Sequence, residues 1–272
     1  MKQCRKAVIY GLLFMMVLGL ILLLIGWDHS LETVTYPIKR PELSGRRIAL
    51  VCDLHSCDYG EQGRELLDAI DEQAPDLVLL GGDIVDDVLP QAGAEVVLDY
   101  LGAHYPTYYV SGNHEYWSGR IDQIKQMIQD KAITVLEGDS QLIKLGDATI
   151  RLSGIDDPEV GESEMIEQFL AVSDITGPEY HILLAHRPEL IYRYLSGDFD
   201  LILSGHAHGG QWRIPYLLNG LIAPNQGLFP KYAGGRYDFE VRTMIVSRGL
   251  ARETTIVPRL FNPPELVIIE FE

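Results

Sequence analysis

The balance of apolar and polar positions changes twice along the chain, and each change predicts a different kind of segment. Val8 to Gly26 is a run of 19 residues without a charge. As a helix at about 1.5 Å per residue it would measure roughly 28 Å, close to the hydrocarbon thickness of a bilayer. Residues 28–46 are polar and punctuated by Pro37, Pro41 and Gly45, which reads as a connector. From residue 47 onward, short solid apolar runs alternate with amphipathic stretches. The solid runs predict strands at 47–52, 77–80, 107–110, 141–145, 149–154, 181–185, 201–204, 243–246 and 266–271. Apolar residues at three- and four-residue spacing (Leu66, Leu67, Ile70; Ile121, Ile124, Met127, Ile128) predict helices at 63–73, 91–101, 121–131, 163–171 and 188–194.

The first half of this region is a plain βαβαβ alternation, which implies parallel strands joined by right-handed crossovers. The second half has more strands than helices, so it should add antiparallel pairs. The expected fold is α/β, with two packed mixed β-sheets flanked by helices behind an N-terminal transmembrane helix. The expected organisation is an anchor at 1–27, a linker at 28–46 and one catalytic domain at 47–272. Residues 209–240, rich in Gly, Pro, Tyr and Trp without a clear period, read as one long ordered loop near a site.

Charge restricts the partners. All 39 acidic residues follow Trp27, and three of the 22 basic ones precede it, so the part beyond the apolar run carries about −20. A nucleic acid held by charge alone is excluded. A small phosphorylated substrate is compatible, provided bound cations reverse the local sign. Lys2, Arg5 and Lys6 precede the apolar run while Asp28 and Glu32 follow it, which predicts a single-pass anchor with the domain on the extracytoplasmic side. A cleaved signal peptide would have a shorter apolar core and a small-residue exit, and neither is evident. Three cysteines do not make a disulfide scaffold. Cys52 reads as a small buried side chain and Cys57 as incidental.

Five clusters place metal-preferring side chains at the ends of predicted strands: Asp53-Leu54-His55, Gly81-Gly82-Asp83, Gly112-Asn113-His114-Glu115, Ala185-His186 and Gly205-His206-Ala207-His208. Each residue alone has an ordinary reading as a helix cap, a turn or a loop polar group. In this order, at successive strand ends, they point to a common site. The series resembles the calcineurin-like metallophosphoesterase superfamily, over the whole stretch from Arg47 onward. The wording SGNHEYW, SGHAHGGQW, GLFPKY and PRLFNPPE is similar to its membrane-associated bacterial branch, with Ala251 standing where glycine is expected.

The resemblance implies a dinuclear metal-dependent phosphohydrolase. Asp53, His55 and His208 would hold one divalent ion with Asp83. Asn113, His186 and His206 would hold the other, with Asp83 shared. Mixed nitrogen and oxygen ligation suits Mn, Fe or Zn. His114, freed by its neighbour Asn113, would face the substrate as general acid or transition-state stabiliser, and an imidazole titrating near neutrality suits protonating a leaving alkoxide. The expected substrate is a phosphoester, lipid- or cell-wall-linked, met at the membrane. Two alternatives follow. One is hydrolysis of the pyrophosphate of a UDP-linked diacylglucosamine, which would need a cytoplasmic domain. The other is a membrane-tethered, metal-containing binding module without turnover. Beyond the ligand set, Asp86-Asp87 reads as a solvated turn and Glu115 as a helix-start acid or a partner of the ligands. Arg187 and Arg213 read equally as phosphate contacts or salt bridges. His29, His104 and His181 match no motif. Trp117, Trp212, Phe229 and Tyr232 read as packing or as an apolar lip.

Overall fold

Solid apolar runs become strands covered on both faces. In the computed structural model, which describes residues 2–252 and 257–272, strand β2 (Arg47–Val51) shows how. Ile48 and Leu50 enter one apolar cluster while Ala49 and Val51 enter another on the opposite face, as the two-residue alternation of a strand requires.

One six-stranded sheet runs in spatial order β1 (Glu32–Ile38), β14 (Glu265–Phe271), β2, β3 (Leu77–Leu80), β4 (Thr107–Tyr109) and β5 (Thr134–Val135). The other runs β12 (Gly235–Phe239), β13 (Arg242–Val246), β9 (Leu201–Ser204), β8 (Tyr180–Leu184), β7 (Ala148–Gly154) and β6 (Asp139–Leu145). Strands β2 to β5 are mutually parallel, as are β7, β8, β9 and β13. Antiparallel pairs are β2 with β14, β6 with β7 and β12 with β13.

The sheets pack face to face through Ile48, Leu50, Leu77 and Leu79 from one and Leu152, Ile182, Leu184 and Leu203 from the other. Helices α2 (Arg64–Gln73), α3 (Ala92–His104) and α5 (Ile121–Asp130) cover the first sheet with Leu66, Ile70, Val97, Leu101, Ile124 and Ile128. Helices α6 (Glu162–Ser173) and α7 (Ile191–Tyr194) cover the second with Phe169, Val172, Ile191 and Tyr194. The result is the expected α/β sandwich, with sheets inside and helices outside. The remaining helix of the domain, α4 (Asn113–Trp117), is a short turn at the end of β4.

Two expectations change. The segment expected as a linker, 28–46, contains β1, which pairs in parallel with β14 from Glu32↔Glu265 to Ile38↔Phe271. Pro37 is tolerated because β1 is an edge strand, where one missing amide leaves no ladder bond unmade. The segment expected as a single loop, 209–240, carries the small hairpin β10 (Ile222–Ala223) and β11 (Gly227–Leu228), then edge strand β12. Ahead of the sheets, α1 (Lys2–Gly26) is a helix whose window Ile9–Gly26 is long and apolar enough to cross a membrane and is almost wholly uncovered by the rest of the chain.

Candidate metal centre

The parallel strands β2, β3, β4, β8 and β9 all release their chains at the same edge of the sandwich, and the five clusters sit in those five loops. Asp53 and His55 follow β2, Asp83 follows β3, Asn113 and His114 follow β4, His186 follows β8, and His206 and His208 follow β9. All seven expected ligand residues are buried.

Their ligand atoms fall into two groups, each within 4.8 Å of one another: Asp53, His55, Asp83 and His208; and Asp83, His186 and His206. Asp83 Oδ2 belongs to the meeting point. It lies 3.6 Å from His55 Nε2 and 3.2 Å from His186 Nε2. Its other oxygen accepts the backbone amide of His114 at 2.8 Å, which brings Asn113 alongside. His186 Nε2 is also 4.0 Å from Asp53 Oδ1, and His208 Nε2 is 3.9 Å from the same atom.

The backbone is bent to achieve this. Asp53, His55, Asp83, His206 and His208 all have φ between 47° and 65°. That left-handed region is uncommon for residues other than glycine, although Asp and His enter it more readily than most. Such residues cost about 1–3 kcal/mol each and collect at functional sites. Gly82 has φ 90°, and a Cβ there would fall 2.6 Å from His186 Nδ1 and 2.7 Å from the amide nitrogen of Gly112. Only glycine lets the β3 and β4 loops approach so closely.

A surrounding layer fixes each side chain. His55 Nδ1 lies 2.9 Å from Asp86 Oδ2, and His186 Nδ1 lies 2.7 Å from the carbonyl oxygen of Gly81. His206 Nε2 meets Asn225 Oδ1 at 2.9 Å and Arg187 Nη1 at 3.3 Å. Arg187 is itself clamped by Asp157 through two bonds of 2.5 and 2.9 Å. The Glu115 carboxylate accepts backbone amides of Gly112, Asp83, Ile84 and Val85 at 2.7–3.0 Å, tying the β3 and β4 loops together. Burial and the nearby Asp83 push its pKa up to about 7, against the pull of those amides.

Burial, with His186 and the Arg187 guanidinium beside it, holds His206 well below the usual imidazole range; burial, His55 and Arg259 do the same to His208. Both rings are therefore neutral, the form that donates a lone pair. Burial works against a charge on His186 as well, but Asp83 and Asp53 outweigh it and raise that ring to about 10. His114 is the partly open member, with its side chain 24% exposed and Nδ1 at 2.6 Å from Asp87 Oδ1 and 3.4 Å from Asp86 Oδ2. Its burial is outweighed by Asp86, Asp83 and Asp87, which bring the ring to about 9.

The donor set fits divalent cations. Among the described residues, His55 Nε2, Asp83 Oδ2, Asn113 Oδ1, His186 Nε2, His206 Nδ1 and His208 Nδ1 are buried without a hydrogen-bond partner. Each such atom costs about 1–3 kcal/mol unless something else satisfies it. Six of them converging from five loops, on nitrogen and oxygen donors, is the arrangement a hard or borderline cation satisfies.

Part of this layer carries no signal in the sequence. Asp86, read as a solvated turn, is buried against His55 and also accepts the amides of Val88 and Leu89. Asp157 and Asn225 carried no motif. Arg187 serves as a salt bridge; Arg213 bonds Asn219 at the surface. His181 is a core histidine 2.7 Å from Ser153 Oγ. Tyr232 is buried, whereas Trp117, Trp212 and Phe229 are exposed.

Known proteins resemble the sequence that builds this site. The calcineurin-like phosphoesterase profile covers residues 46–210, more than half of the chain. The uncharacterized metallophosphoesterase YkuE of Bacillus subtilis is 28% identical over 88% of this chain and 85% of its own. The uncharacterized protein YpbG of the same organism is 30% identical over 89% of this chain and 87% of its own. A transmembrane protein with a metallophosphoesterase domain from Danio rerio is 28% identical over 65% of this chain and 44% of its own. The chain thus belongs to the calcineurin-like phosphoesterases and is a metal-dependent phosphoester hydrolase.

Proposed function

We propose that this protein is a phosphodiesterase-type hydrolase that works with two divalent cations (Mn, Fe or Zn) at a membrane, its domain on the extracytoplasmic side. The observation that carries the proposal is the sharing of Asp83 Oδ2 between two groups of buried donors, of which all but Asp53, which accepts the His206 amide, have a ligand atom without a hydrogen-bond partner. Asp53, His55, Asp83 and His208 would hold one ion, and Asp83, Asn113, His186 and His206 the other. When bound, the pair supplies positive charge for the phosphoryl oxygens and activates the attacking water.

The chain's own groups do the rest. Asp86, Gly81 and Asn225 orient three of the rings, so that little reorganisation accompanies reaction. His114, held at Nδ1 by Asp87, has Nε2 left to deliver a proton to the departing alkoxide. The basic residues Lys2, Arg5 and Lys6 before the charge-free run and the acidic Asp28 and Glu32 after it support the outward orientation, and a lipid- or cell-wall-linked phosphoester is the substrate class such placement favours.

The test is metal content by mass spectrometry alongside hydrolysis of bis-p-nitrophenyl phosphate after chelation and re-addition of Mn²⁺. Wild type should carry two ions per chain and turn over. Asp83→Asn should lose metal and activity together. His114→Ala should keep both ions and lose about 10²–10⁴-fold in kcat. A wild-type protein that takes up no ion, or His114→Ala with undiminished turnover, would refute the proposal.

A further inference from the structure

The domain is strongly acidic, yet residues 201–237 contain no Asp or Glu and carry Arg213, Lys231 and Arg236. Within that run many of the outward-facing side chains are large and apolar, interspersed with Asn219, Asn225, Lys231 and Arg236. Tyr216, Leu217, Leu228 and Phe229 are 107%, 85%, 65% and 66% exposed, and Trp212 and Ile214 accompany them. Single exposed apolar residues are ordinary, but these two stretches, 212–217 and 228–229, are joined by backbone bonds, Leu221 to Trp212 at 2.9 Å and Phe229 to Leu221 at 2.8 Å, and such a set beside a site signals a partner.

Two sets of contacts say which partner. First, the surface is tied to the end of the apolar helix. The amide of Phe261 donates to the carbonyl oxygen of Gly26, the last residue of α1, at 2.7 Å. A Cβ on Gly26 would lie 2.6 Å from the Phe261 ring and 2.8 Å from Leu260. Leu260 in turn bridges to Trp212, exchanging backbone bonds with Gln211 and Arg213 at 3.1 and 3.0 Å. Second, the surface is tied to the metal centre. It begins at Trp212, four residues after His208, whose carbonyl oxygen accepts from Asn262 Nδ2 at 2.7 Å, and it returns at Asn225 to His206.

We propose that Trp212, Ile214, Tyr216, Leu217, Leu228 and Phe229 form a contact with the lipid bilayer that seats the mouth of the metal centre at the membrane surface, so that a phosphoester borne on a lipid reaches it. An apolar face without acidic residues, beside exposed Lys231, suits insertion at the headgroup level of an anionic membrane. The second half of the claim rests on the phosphodiesterase reading above; the first half does not.

The experiment uses the full chain in vesicles of phosphatidylcholine and phosphatidylglycerol. With Cys4 replaced by serine, an environment-sensitive fluorophore is placed at Leu217→Cys or Leu228→Cys. The control is Val241→Cys, 85% exposed in the turn between β12 and β13. At 217 and 228 the emission should move to the blue and be quenched by brominated lipid; at 241 neither should occur. Water-like emission at 217 overturns the proposal. So does a blue shift that follows the protein-to-lipid ratio without lipid quenching, which would mark contact between copies.

In parallel, Tyr216→Ser/Leu217→Ser/Phe229→Ser should lose at least about tenfold in cleavage of vesicle-borne phosphatidyl-p-nitrophenol, the effect of losing one buried apolar side chain or more. It should keep wild-type turnover of bis-p-nitrophenyl phosphate. Equal loss on both substrates overturns the proposal. A wild type silent on the soluble diester would instead refute the phosphodiesterase reading, and the fluorophore result would still decide the surface.

Discussion

Asp157→Asn removes the charge from a carboxylate that is fully buried and grips Arg187 with both oxygens, at 2.5 and 2.9 Å, while Arg187 itself is only 5% exposed. Breaking a buried ion pair from one side costs about 3–5 kcal/mol, because the remaining charge keeps its desolvation penalty. Glu159 and Glu189 stand 3.6 and 3.8 Å from the guanidinium and offset part of this. The expected loss therefore lies at the low end, about 3 kcal/mol, or roughly 6–12 °C in the melting temperature of a domain this size. The damage should also reach His206, since Arg187 Nη1 touches both that ring and Asn225 Oδ1 at 3.3 and 2.7 Å. Loosening a ligand's support weakens metal affinity by about 10–100-fold. Calorimetric titration with Mn²⁺ should show that loss in one of two binding steps, with the step assigned to Asp53, His55 and His208 unchanged. The double variant Asp157→Leu/Arg187→Met separates the effects: it should regain most of the melting temperature and none of the affinity. A melting temperature for Asp157→Asn within about 2 °C of wild type, less than 1 kcal/mol at this size, would refute the reasoning.

Three further outcomes are expected. Gly82→Ala combines a left-handed φ with a Cβ 2.6 Å from His186, and should destabilise by about 3 kcal/mol or more in urea unfolding; a smaller loss would mean the β3 loop can retreat. Asp86→Asn keeps the oxygen that accepts Val88 and Leu89 but weakens the hold on His55, so metal affinity should fall about 10–100-fold without a matching fall in melting temperature. Burial of His181, aided by Arg151 and opposed by Asp198 and Asp200, lowers its pKa in the folded chain below the usual 6.5. The unfolded chain therefore takes up the proton first, so stability is full above about pH 6.5 and falls as pH drops below it. His181→Asn should lose less stability than wild type between pH 7.5 and 5.5, and parallel curves would exclude this account.

Much of the architecture and the inner ring of the site was legible in the residues. Solid runs such as Leu77–Leu80 mark strands buried on two faces, and the strand-end Asp, Asn and His residues mark a shared edge, because period and composition are local properties of the chain. What the sequence left open depends on partners far away in it. Strand β1 reads as a connector because its ladder is made with residues more than two hundred positions later. Asp86 reads as a turn because the ring that buries it belongs to another loop. The left-handed backbone at Asp53, His55, Asp83, His206 and His208, the Arg187–Asp157 clamp and the link from Gly26 through Leu260 to Trp212 exist only once the two sheets close on each other. Local pattern determines which residues meet an interface; which atoms then stand without a partner, and so call for a cation, is decided by packing at distances no periodicity encodes.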